Sequence, residues 1–252
     1  MKKIVTHAGT FHADELCAIA TLRLLYPGIP VERTYTPTPE DFSDPQVFVL
    51  DIGRRLDPEL SNFDHHQDPQ LPATNLLVLD LVYAASPNVD QRVIALVEKH
   101  FYKYISDVDC GHIVEADDAP PTINGIIRAC NNLDPALAFD TALEIMERAV
   151  AAQFATARQR VESEDTWKAV RKDGRVAIHD SPRHIVGWRE MAERESIDFL
   201  VTPNPRGGYQ ITSRDSAAHP IPADPRQTFL HNSGFIAAYA SMAEAVDHAK
   251  SI

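Results

Sequence analysis

The first half of the chain alternates short apolar runs with helical patterns, an order typical of an α/β fold. Residues 3–6 predict a short buried strand, and residues 47–50 are a continuous apolar run, which is typical of a parallel strand buried on both faces. An alanine-rich run at 16–25 predicts a helix that ends at Pro27-Gly28. The remaining predictions in this half are a strand at 29–35, a proline-rich loop at 37–45, a short strand ending at Phe63, and helices at 74–85 and 89–104.

The second half begins with a long helical pattern and continues with shorter elements. Asp134-Pro135 is a favourable helix start, since aspartate caps the first turn and proline suits its first position. Apolar residues then recur every three or four positions to about residue 164. The later predictions are strands at 175–179, 197–202 and 209–213, a helix at 184–195, a hairpin turn at Gly207-Gly208, a strand and glycine turn at 228–236, and a helix at 241–250. We therefore predict an α/β protein of two domains, residues 1–164 with a parallel sheet and a smaller α/β domain at 165–252.

Composition narrows the class of protein. The chain has 252 residues, 44% of them hydrophobic, which is enough for a sizeable core. The sequence contains no run of about 18 apolar residues, so no membrane span is predicted. The N-terminal apolar segment is too short for a signal peptide. Cys17, Cys110 and Cys130 lie far apart, a spacing that argues against a disulfide framework and indicates a reducing cytoplasm.

The net charge of −12 lies almost entirely in the first two thirds of the chain. An acidic surface argues against tight, non-specific binding of long duplexes, which depends on basic groups. It permits a short phosphate-bearing substrate, because bound cations would reverse the local field. Asp117-Asp118 predicts a solvated acidic loop.

Metal-binding side chains are concentrated where the predicted strands end. Asp64-His65-His66 places one carboxylate and two imidazoles together, and Asp51 directly follows the apolar run at 47–50. Such a mixed ligand set suits Mn²⁺, Fe²⁺, Co²⁺ or Zn²⁺ better than Ca²⁺. The other candidates are His7, His12 and Asp14 on a strand-to-helix loop, and Asp107 or Asp109 downstream.

These residues would suit a pair of ions that clamps both oxygens of a phosphoryl transfer. Asp51 is the expected bridge between the ions, and Asp107 or Asp109 would supply a second one. A water shared by the ions, with a lowered pKa, would be the nucleophile. The terminal ligands would be His7 and His12 for one ion, and Asp14 and His65 for the other.

Further residues are candidates for catalysis and substrate binding. Asp64 would orient a neighbouring histidine, and His66 would contact or protonate a phosphate oxygen. In the second domain, Arg214 would hold a phosphate, and His231 and Gly234 lie in a turn that can bind an anion.

Each candidate also has an ordinary structural explanation. Taken alone, His7 can be a residue near a strand end, Asp14 can be a helix-start carboxylate, and Asp51 can be a turn residue before glycine. Their joint occurrence at several predicted strand ends favours a site over unrelated structural roles.

Several stretches together resemble a known family. The segment 6–15 (THAGTFHADE), then Asp51-Ile52-Gly53 and Phe63-Asp64-His65-His66-Gln67, resemble the melanocyte-proliferating-gene (Myg) exonuclease family within the DHH phosphoesterase superfamily. The segment 229–236 (FLHNSGFI) is similar to that family's closing motif.

This resemblance implies a dinuclear site, with Mn²⁺ favoured over Mg²⁺, Zn²⁺ or Co²⁺, and a second domain that closes over the substrate. It also implies 3′→5′ exonuclease activity on RNA. Asp109 is preferred to Asp107 because Asp109-Cys110-Gly111 fits the family pattern, although Ser106 stands where the family has a further aspartate. The implied ligands are His7, His12, Asp14, Asp51, His65 and Asp109.

The leading hypothesis is a divalent-metal-dependent phosphodiester hydrolase, a 3′→5′ exonuclease acting on single-stranded RNA or short oligonucleotides. One alternative is a hydrolase of small phosphate compounds such as a dinucleotide or pyrophosphate, and another is a nucleotide-binding module without turnover. The sequence predicts no membrane association and leaves the oligomeric state open, with a dimer as one possibility.

Overall fold

The computed structural model describes residues 1–116 and 120–252, so the predicted acidic loop at Asp117-Asp118 lies outside the described residues. The chain divides into two compact units, Met1–Ala157 and Arg158–Ile252. The boundary lies within one long helix, and so does the predicted division at residue 164. The assignment of a separate function to each domain stays a prediction.

Unit 1 contains a mostly parallel sheet with the strand order β2-β1-β3-β5-β4. The pairs β1–β2, β1–β3 and β3–β5 are parallel, and only the edge pair β4–β5 is antiparallel. The strands are β1 (Lys3–His7), β2 (Val31–Thr34), β3 (Val47–Leu50), β4 (Leu56–Asp57) and β5 (Asn62–Phe63).

The apolar run of β3 explains why this sheet is buried. All four residues of β3 are buried, and Val49 packs with Val5 and Val47 against the partly buried Phe42 and Ile52. Because β1, β3 and β5 are parallel neighbours, their carboxyl ends meet at one edge of the sheet, which is the usual location of a site in such folds.

The helices of unit 1 pack around α1 (Ala13–Arg23). Every residue of α1 from Ala13 to Leu22 is buried, and α3, α5 and α6 pack against it. The other helices are α2 (Pro39–Ser43), α3 (Thr74–Ala84), α4 (Gln91–Val97), α5 (Lys103–Asp109), α6 (Ile123–Cys130) and the start of α7 (Pro135–Ala169).

The predicted helix at 89–104 is longer and less regular than expected. A π-helical turn, Glu98–Tyr102, separates α4 from α5, and α5 continues to Asp109. Tyr102 in that turn is fully buried, and its hydroxyl lies 2.6 Å from Thr21 Oγ1 of α1. Single π-helical turns often occur beside functional sites, and this one precedes the helix that carries Asp109.

Unit 2 contains a mixed sheet with the strand order β10-β11-β9-β8-β7-β6. Only the pair β7–β8 is parallel, and the Gly207-Gly208 turn joins β8 to β9 as predicted. The strands are β6 (Arg171–Asp173), β7 (Val176–Ile178), β8 (Phe199–Pro203), β9 (Tyr209–Ser213), β10 (Gln227–Leu230) and β11 (Ile236–Tyr239).

Two helices cover the faces of this second sheet. Ala245 and Ala249 of α9 (Met242–Ser251) join the core beneath β7, β8, β9 and β11. Trp188 of α8 (Trp188–Arg194) packs with Trp167 on the other side. None of the helices in the described part of the chain is long and apolar enough to cross a lipid bilayer.

The predicted fold class, α/β with a parallel first sheet and a smaller α/β second domain, is confirmed. Several local predictions were wrong. The loop at 37–45 contains α2, the helix predicted at 184–195 begins only at Trp188, and the turn at 228–236 leads into the additional strand β11. The elements α6, β4 and β6 were not predicted, because each is short.

Gly53 provides a test of the turn that follows Asp51. Its φ of +99° is in the left-handed region, and a Cβ there would overlap the ring of Phe42. We expect Gly53→Ala to lower the free energy of unfolding by about 2–4 kcal/mol, through backbone strain and overpacking together. The matched control is Gly28→Ala, with φ +72° and open space around the new methyl group, where strain alone predicts about 1–2 kcal/mol. Equal losses in urea denaturation would contradict this account.

Candidate metal centre

Three parallel strands deliver the candidate residues to one edge of the first sheet. His7 is the last residue of β1, Asp51 follows β3, and Asp64-His65-His66 follows β5. The backbone N–H of Asp51 donates to the carbonyl of Phe63 at 2.9 Å, which ties two of these strand ends together. The structure therefore brings together residues that are up to 59 positions apart in the sequence.

Asp51 lies at the centre of the cluster and adopts an unusual backbone conformation. Its φ is +56°, a region that aspartate tolerates better than most residues. Its two carboxylate oxygens face different histidines. Oδ2 lies 3.4 Å from His7 Nε2, whereas Oδ1 lies 3.4 Å from His65 Nε2 and 3.6 Å from His66 Nδ1. A carboxylate that bridges two ions needs this arrangement of its oxygens.

Asp14 is held by the first turn of a neighbouring helix. The backbone N–H groups of Thr74 and Asn75, at the start of α3, donate to its two carboxylate oxygens at 3.1 and 2.8 Å. Amides at a helix N-terminus stabilise a negative charge. These contacts fix the orientation of a side chain that is fully buried.

The last acidic candidate is supplied by a helix and not by a strand end. Asp109 ends α5, and its Oδ2 lies 3.2 Å from His65 Nε2. Asp107, two residues earlier, is ion-paired with Lys103 at 2.9 Å. The structure thus brings Asp109, and not Asp107, to the cluster.

Glu15 is a member of the cluster that the sequence reasoning did not identify as a site residue. It is completely buried, and its Oε1 lies 3.2 Å from His7 Nε2. Both of its oxygens accept from the backbone N–H of His12 at 2.8 Å. Glu15 stands three residues after the helix-capping residue, which is the capping-box spacing. This spacing was the only feature of the sequence that could have drawn attention to Glu15. His12 itself is exposed, with its ring 5.7 Å from that of His7.

The cluster has the spacing of groups that share an ion. The potential ligand atoms fall into three overlapping groups, each within 4.8 Å. Two ligands about 2.1 Å from one ion lie about 3.0–3.4 Å apart at octahedral or tetrahedral angles, close to the distances found here. The groups are His7, His12, Glu15 and Asp51; Asp51, His65 and His66; and Asp14, His65 and Asp109.

Two buried ring nitrogens support the fit to a metal ion. Among the described residues, His7 Nε2 and His65 Nε2 have no hydrogen-bond partner of acceptable geometry, although carboxylate oxygens lie 3.2–3.4 Å away. The other nitrogen of His7, Nδ1, lies 3.2 Å from the carbonyl of Ala8. A proton on Nδ1 would donate to that carbonyl and leave Nε2 free to bind a cation.

The electrostatics of the cluster favour positive charge. The neighbouring carboxylates, Asp51 and then Glu15, raise the pKa of His7 to about 10. Asp109 and then Asp51 raise the pKa of His65 to about 11. Burial together with the charges of Asp51 and Asp109 raises the pKa of Asp14 well above its ordinary value. A divalent ion would satisfy the same field, since its charge is larger than that of the protons it displaces.

Asp64 and His66 form a hydrogen-bonded pair at the margin of the cluster. Asp64 Oδ1 accepts from the backbone N–H of His66 at 3.0 Å and lies 2.7 Å from its ring Nδ1. The other oxygen, Oδ2, accepts from the backbone N–H of Arg54 at 2.6 Å. Asp64 is buried, whereas about half of the His66 side chain is exposed. The pair therefore presents an oriented imidazole to solvent.

The remaining candidates lie in unit 2 and have contacts within that unit. Arg214 donates to the carbonyl of Ile197 at 3.0 Å and pairs with Asp198 at 3.3 Å. His231 Nδ1 lies 3.0 Å from Ser233 Oγ, and Gly234 has φ +66° in the turn between β10 and β11. A substrate-binding role for these residues stays a prediction.

The two aspartates of α5 offer a matched pair for a metal-binding test. We expect Asp109→Asn to weaken Mn²⁺ binding about tenfold or more, because it removes a charged oxygen beside His65. Asp107→Asn should change the affinity less than about twofold, since that residue pairs with Lys103 at the helix surface. Isothermal titration calorimetry measures both variants. A larger loss of Mn²⁺ affinity in Asp107→Asn than in Asp109→Asn would show that Asp107, and not Asp109, is the metal ligand.

Comparison with known proteins finds relatives for the segment that contains most of the candidate metal ligands. Residues 3–76 match the family model MYG1_exonuc, described as an uncharacterised protein family (UPF0160). The MYG1 exonucleases of Homo sapiens and Bos taurus are each 43% identical over 65 residues, which cover 26% of this chain and 17% of the relative. A MYG1 protein of Schizosaccharomyces pombe is 42% identical over 67 residues, which cover 26% of this chain and 19% of the relative.

The matched part of the chain thus spans about a fifth or less of the length of these curated relatives. No solved structure matches the chain. The matched segment contains His7, Asp14, Asp51 and His65, whereas Asp109 lies outside it. The resemblance to the Myg exonuclease family is confirmed for residues 3–76, the segment that supplies the strand-end residues of the cluster.

Proposed function

We propose that this chain is a divalent-metal-dependent phosphodiester hydrolase that acts as a 3′→5′ exonuclease on RNA or short oligonucleotides. The observation that carries the proposal is the geometry of Asp51. Its two oxygens each face a different histidine at 3.4 Å, as expected of a carboxylate between two ions. A carboxylate buried in an ordinary turn has no need for this arrangement.

The proposed ligands divide into two sets around Asp51. His7 and His12 would hold one ion, and Asp14, His65 and Asp109 would hold the other. Mixed imidazole and carboxylate ligands suit Mn²⁺, with Mg²⁺, Zn²⁺ or Co²⁺ as alternatives. When bound, two such ions would activate a water and stabilise the charge that develops on the phosphate.

The chain's own residues would position these ligands and assist the proton transfers. The carbonyl of Ala8 would orient His7 through Nδ1, and Glu15, whose Oε1 lies 3.2 Å from the ion-binding nitrogen Nε2, would add negative charge beside the same ion. Asp64 fixes the ring of His66 through Nδ1, leaving Nε2 available to contact or protonate a phosphate oxygen. We therefore assign catalytic roles to Asp51, Asp64 and His66.

A cavity in unit 2 supports the proposed role of His231 in substrate binding. Its volume is about 600 Å³, and Arg206, Phe229, His231 and Phe235 line it. Phe229 and Phe235 are exposed, and the rings of His231 and Phe235 lie 4.5 Å apart. Exposed rings beside an arginine suit single-stranded nucleic acid, whose bases stack on aromatic faces.

Two further observations support the proposal. The relatives matched by residues 3–76 carry the name MYG1 exonuclease, which favours a nuclease over the hydrolysis of small phosphate compounds. Cys17 and Cys130 are buried free thiols, consistent with the reducing cytoplasm that we propose as the location.

A variant at Asp51 tests the proposed activity. Asp51→Asn keeps the size of the side chain and tolerates positive φ, so the fold should remain while the charge is lost. We expect hydrolysis of a 5′-labelled single-stranded RNA with Mn²⁺ to fall at least about a hundredfold. The measurement is the ladder of products shortened from the 3′ end, resolved on a denaturing gel with EDTA as the metal-free reference.

The matched control is Asp57→Asn, which changes an aspartate of the edge strand β4 that pairs with Arg55. This variant should retain activity within about twofold, as expected for a surface ion pair. Full activity in Asp51→Asn would contradict the proposal. Intact RNA with the unmodified protein under every metal would also contradict it and would favour small phosphate substrates.

A further inference from the structure

A second cavity, in unit 1, adjoins the candidate metal centre. It has a volume of about 250 Å³, which is enough for a single small ring system. The lining residues are Phe11, His12, Ala13, Asp14, Ile105, Val108, Asp109, Asn124 and Arg128.

The cavity is amphipathic, because one part of its wall is apolar and another carries the candidate ligands. Phe11, Ile105 and Val108 supply the apolar part. Asp14 and Asp109, two of the carboxylates that lie near His65, supply the other part. A ligand in this space therefore meets apolar side chains at one end and the candidate metal centre at the other.

Asn124 supplies a polar group with unused hydrogen-bonding capacity. It lies in the first turn of α6 and is 8% exposed. As placed, its Nδ2 is hidden from solvent and has no hydrogen-bond partner among the described residues. A buried unpaired amide is costly, and a half turn of the side chain exchanges its oxygen and nitrogen, which would bring the unpaired N–H groups within reach of a ligand.

Arg128 adds a positive charge to the same wall. It lies one turn after Asn124 on α6, and about two thirds of its side chain is exposed. Its Nη2 is 3.7 Å from Glu115 Oε2, a distance too long for a strong hydrogen bond. Among the described residues no other partner of this guanidinium is recorded, so its donors can hold a phosphate oxygen.

We propose that this cavity is the binding pocket for the nucleobase of the substrate's terminal nucleotide, with Asn124 reading the base edge and Arg128 holding a phosphate. The inference rests on the proposed function and extends it by assigning the substrate class of the site. Apolar walls and one amide match an aromatic heterocycle with polar edges, as in other proteins that hold single unstacked bases. Inorganic pyrophosphate would leave the apolar wall without a partner.

Binding of small product analogues tests the pocket independently of turnover. A nucleoside 5′-monophosphate and ribose 5-phosphate share the sugar and phosphate, and differ only in the base. In buffer containing Mn²⁺, calorimetry should show that the unmodified protein binds one or more of the four common monophosphates about tenfold more tightly than ribose 5-phosphate, the scale of one base contact.

Variants of the pocket should remove this preference. Asn124→Leu keeps the volume of the side chain but loses its hydrogen bonds, and Val108→Phe fills part of the cavity. In each, the preference for the monophosphate over ribose 5-phosphate should fall to within about twofold, because only the base contacts are lost. Arg128→Ala should weaken both ligands by a similar factor, since they share the phosphate. The matched control is Asn132→Ala, at an exposed position just after α6, which should keep the full preference.

The possible outcomes separate this inference from the proposed function. Equal affinity of the unmodified protein for ribose 5-phosphate and all four monophosphates would overturn the base pocket, whatever the activity on RNA. A preference that survives in both Asn124→Leu and Val108→Phe would place base recognition elsewhere and also overturn it. Base-dependent binding that is lost in these variants, in a protein that cleaves no RNA, would uphold the pocket and reject the nuclease.

Discussion

The convergence of negative charge at one buried edge of a sheet is the constraint on which the rest of the first unit depends. Asp14 and Asp51 are almost completely removed from water, and Asp109 reaches the same place. Carboxylates confined in this way repel one another strongly, because the surrounding medium screens them poorly. A fold can retain them only if this charge is reduced or compensated, by a proton on a carboxylate such as Asp14, by protons on His7 and His65, or by metal ions.

The fold meets this constraint with elements of three kinds. The ends of β1, β3 and β5 supply His7, Asp51 and His65, the start of α3 holds Asp14 through its amides, and the end of α5 supplies Asp109. The buried helix α1 packs against α3 and α5 and so fixes both relative to the sheet. Rigid elements of this kind keep ligands within the small tolerance that metal coordination requires.

The sequence predicted the part of this arrangement that follows from local pattern. A continuous apolar run predicts a buried parallel strand, and the residue after that run therefore lies at the sheet edge. This reasoning placed His7, Asp51 and the Asp64-His65-His66 stretch correctly at strand ends. The structure also shows that Asp109 comes from a helix end. Helix packing set that position, together with a π-helical turn that no hydrophobic period revealed.

Glu15 and Asn124 were missed for a related reason. Glu15 stands in a stretch whose helix-start pattern already explains an acidic residue, and only its burial against His7 distinguishes it. Asn124 lies on α6, a short helix that was not predicted, and its meaning depends on an adjoining cavity formed by α1, α5 and α6. Cavities and unpaired buried atoms are products of tertiary packing, and single-sequence patterns do not contain them.

The most direct measurement of the central claim is a crystal structure of the protein soaked with Mn²⁺, with anomalous diffraction recorded at the manganese absorption edge. The account predicts two anomalous peaks about 3.5–4 Å apart. One should lie between Asp51 Oδ2 and His7, and the other between Asp51 Oδ1 and His65. A single ion, or two ions that do not share Asp51, would contradict the proposal that this carboxylate is the bridge.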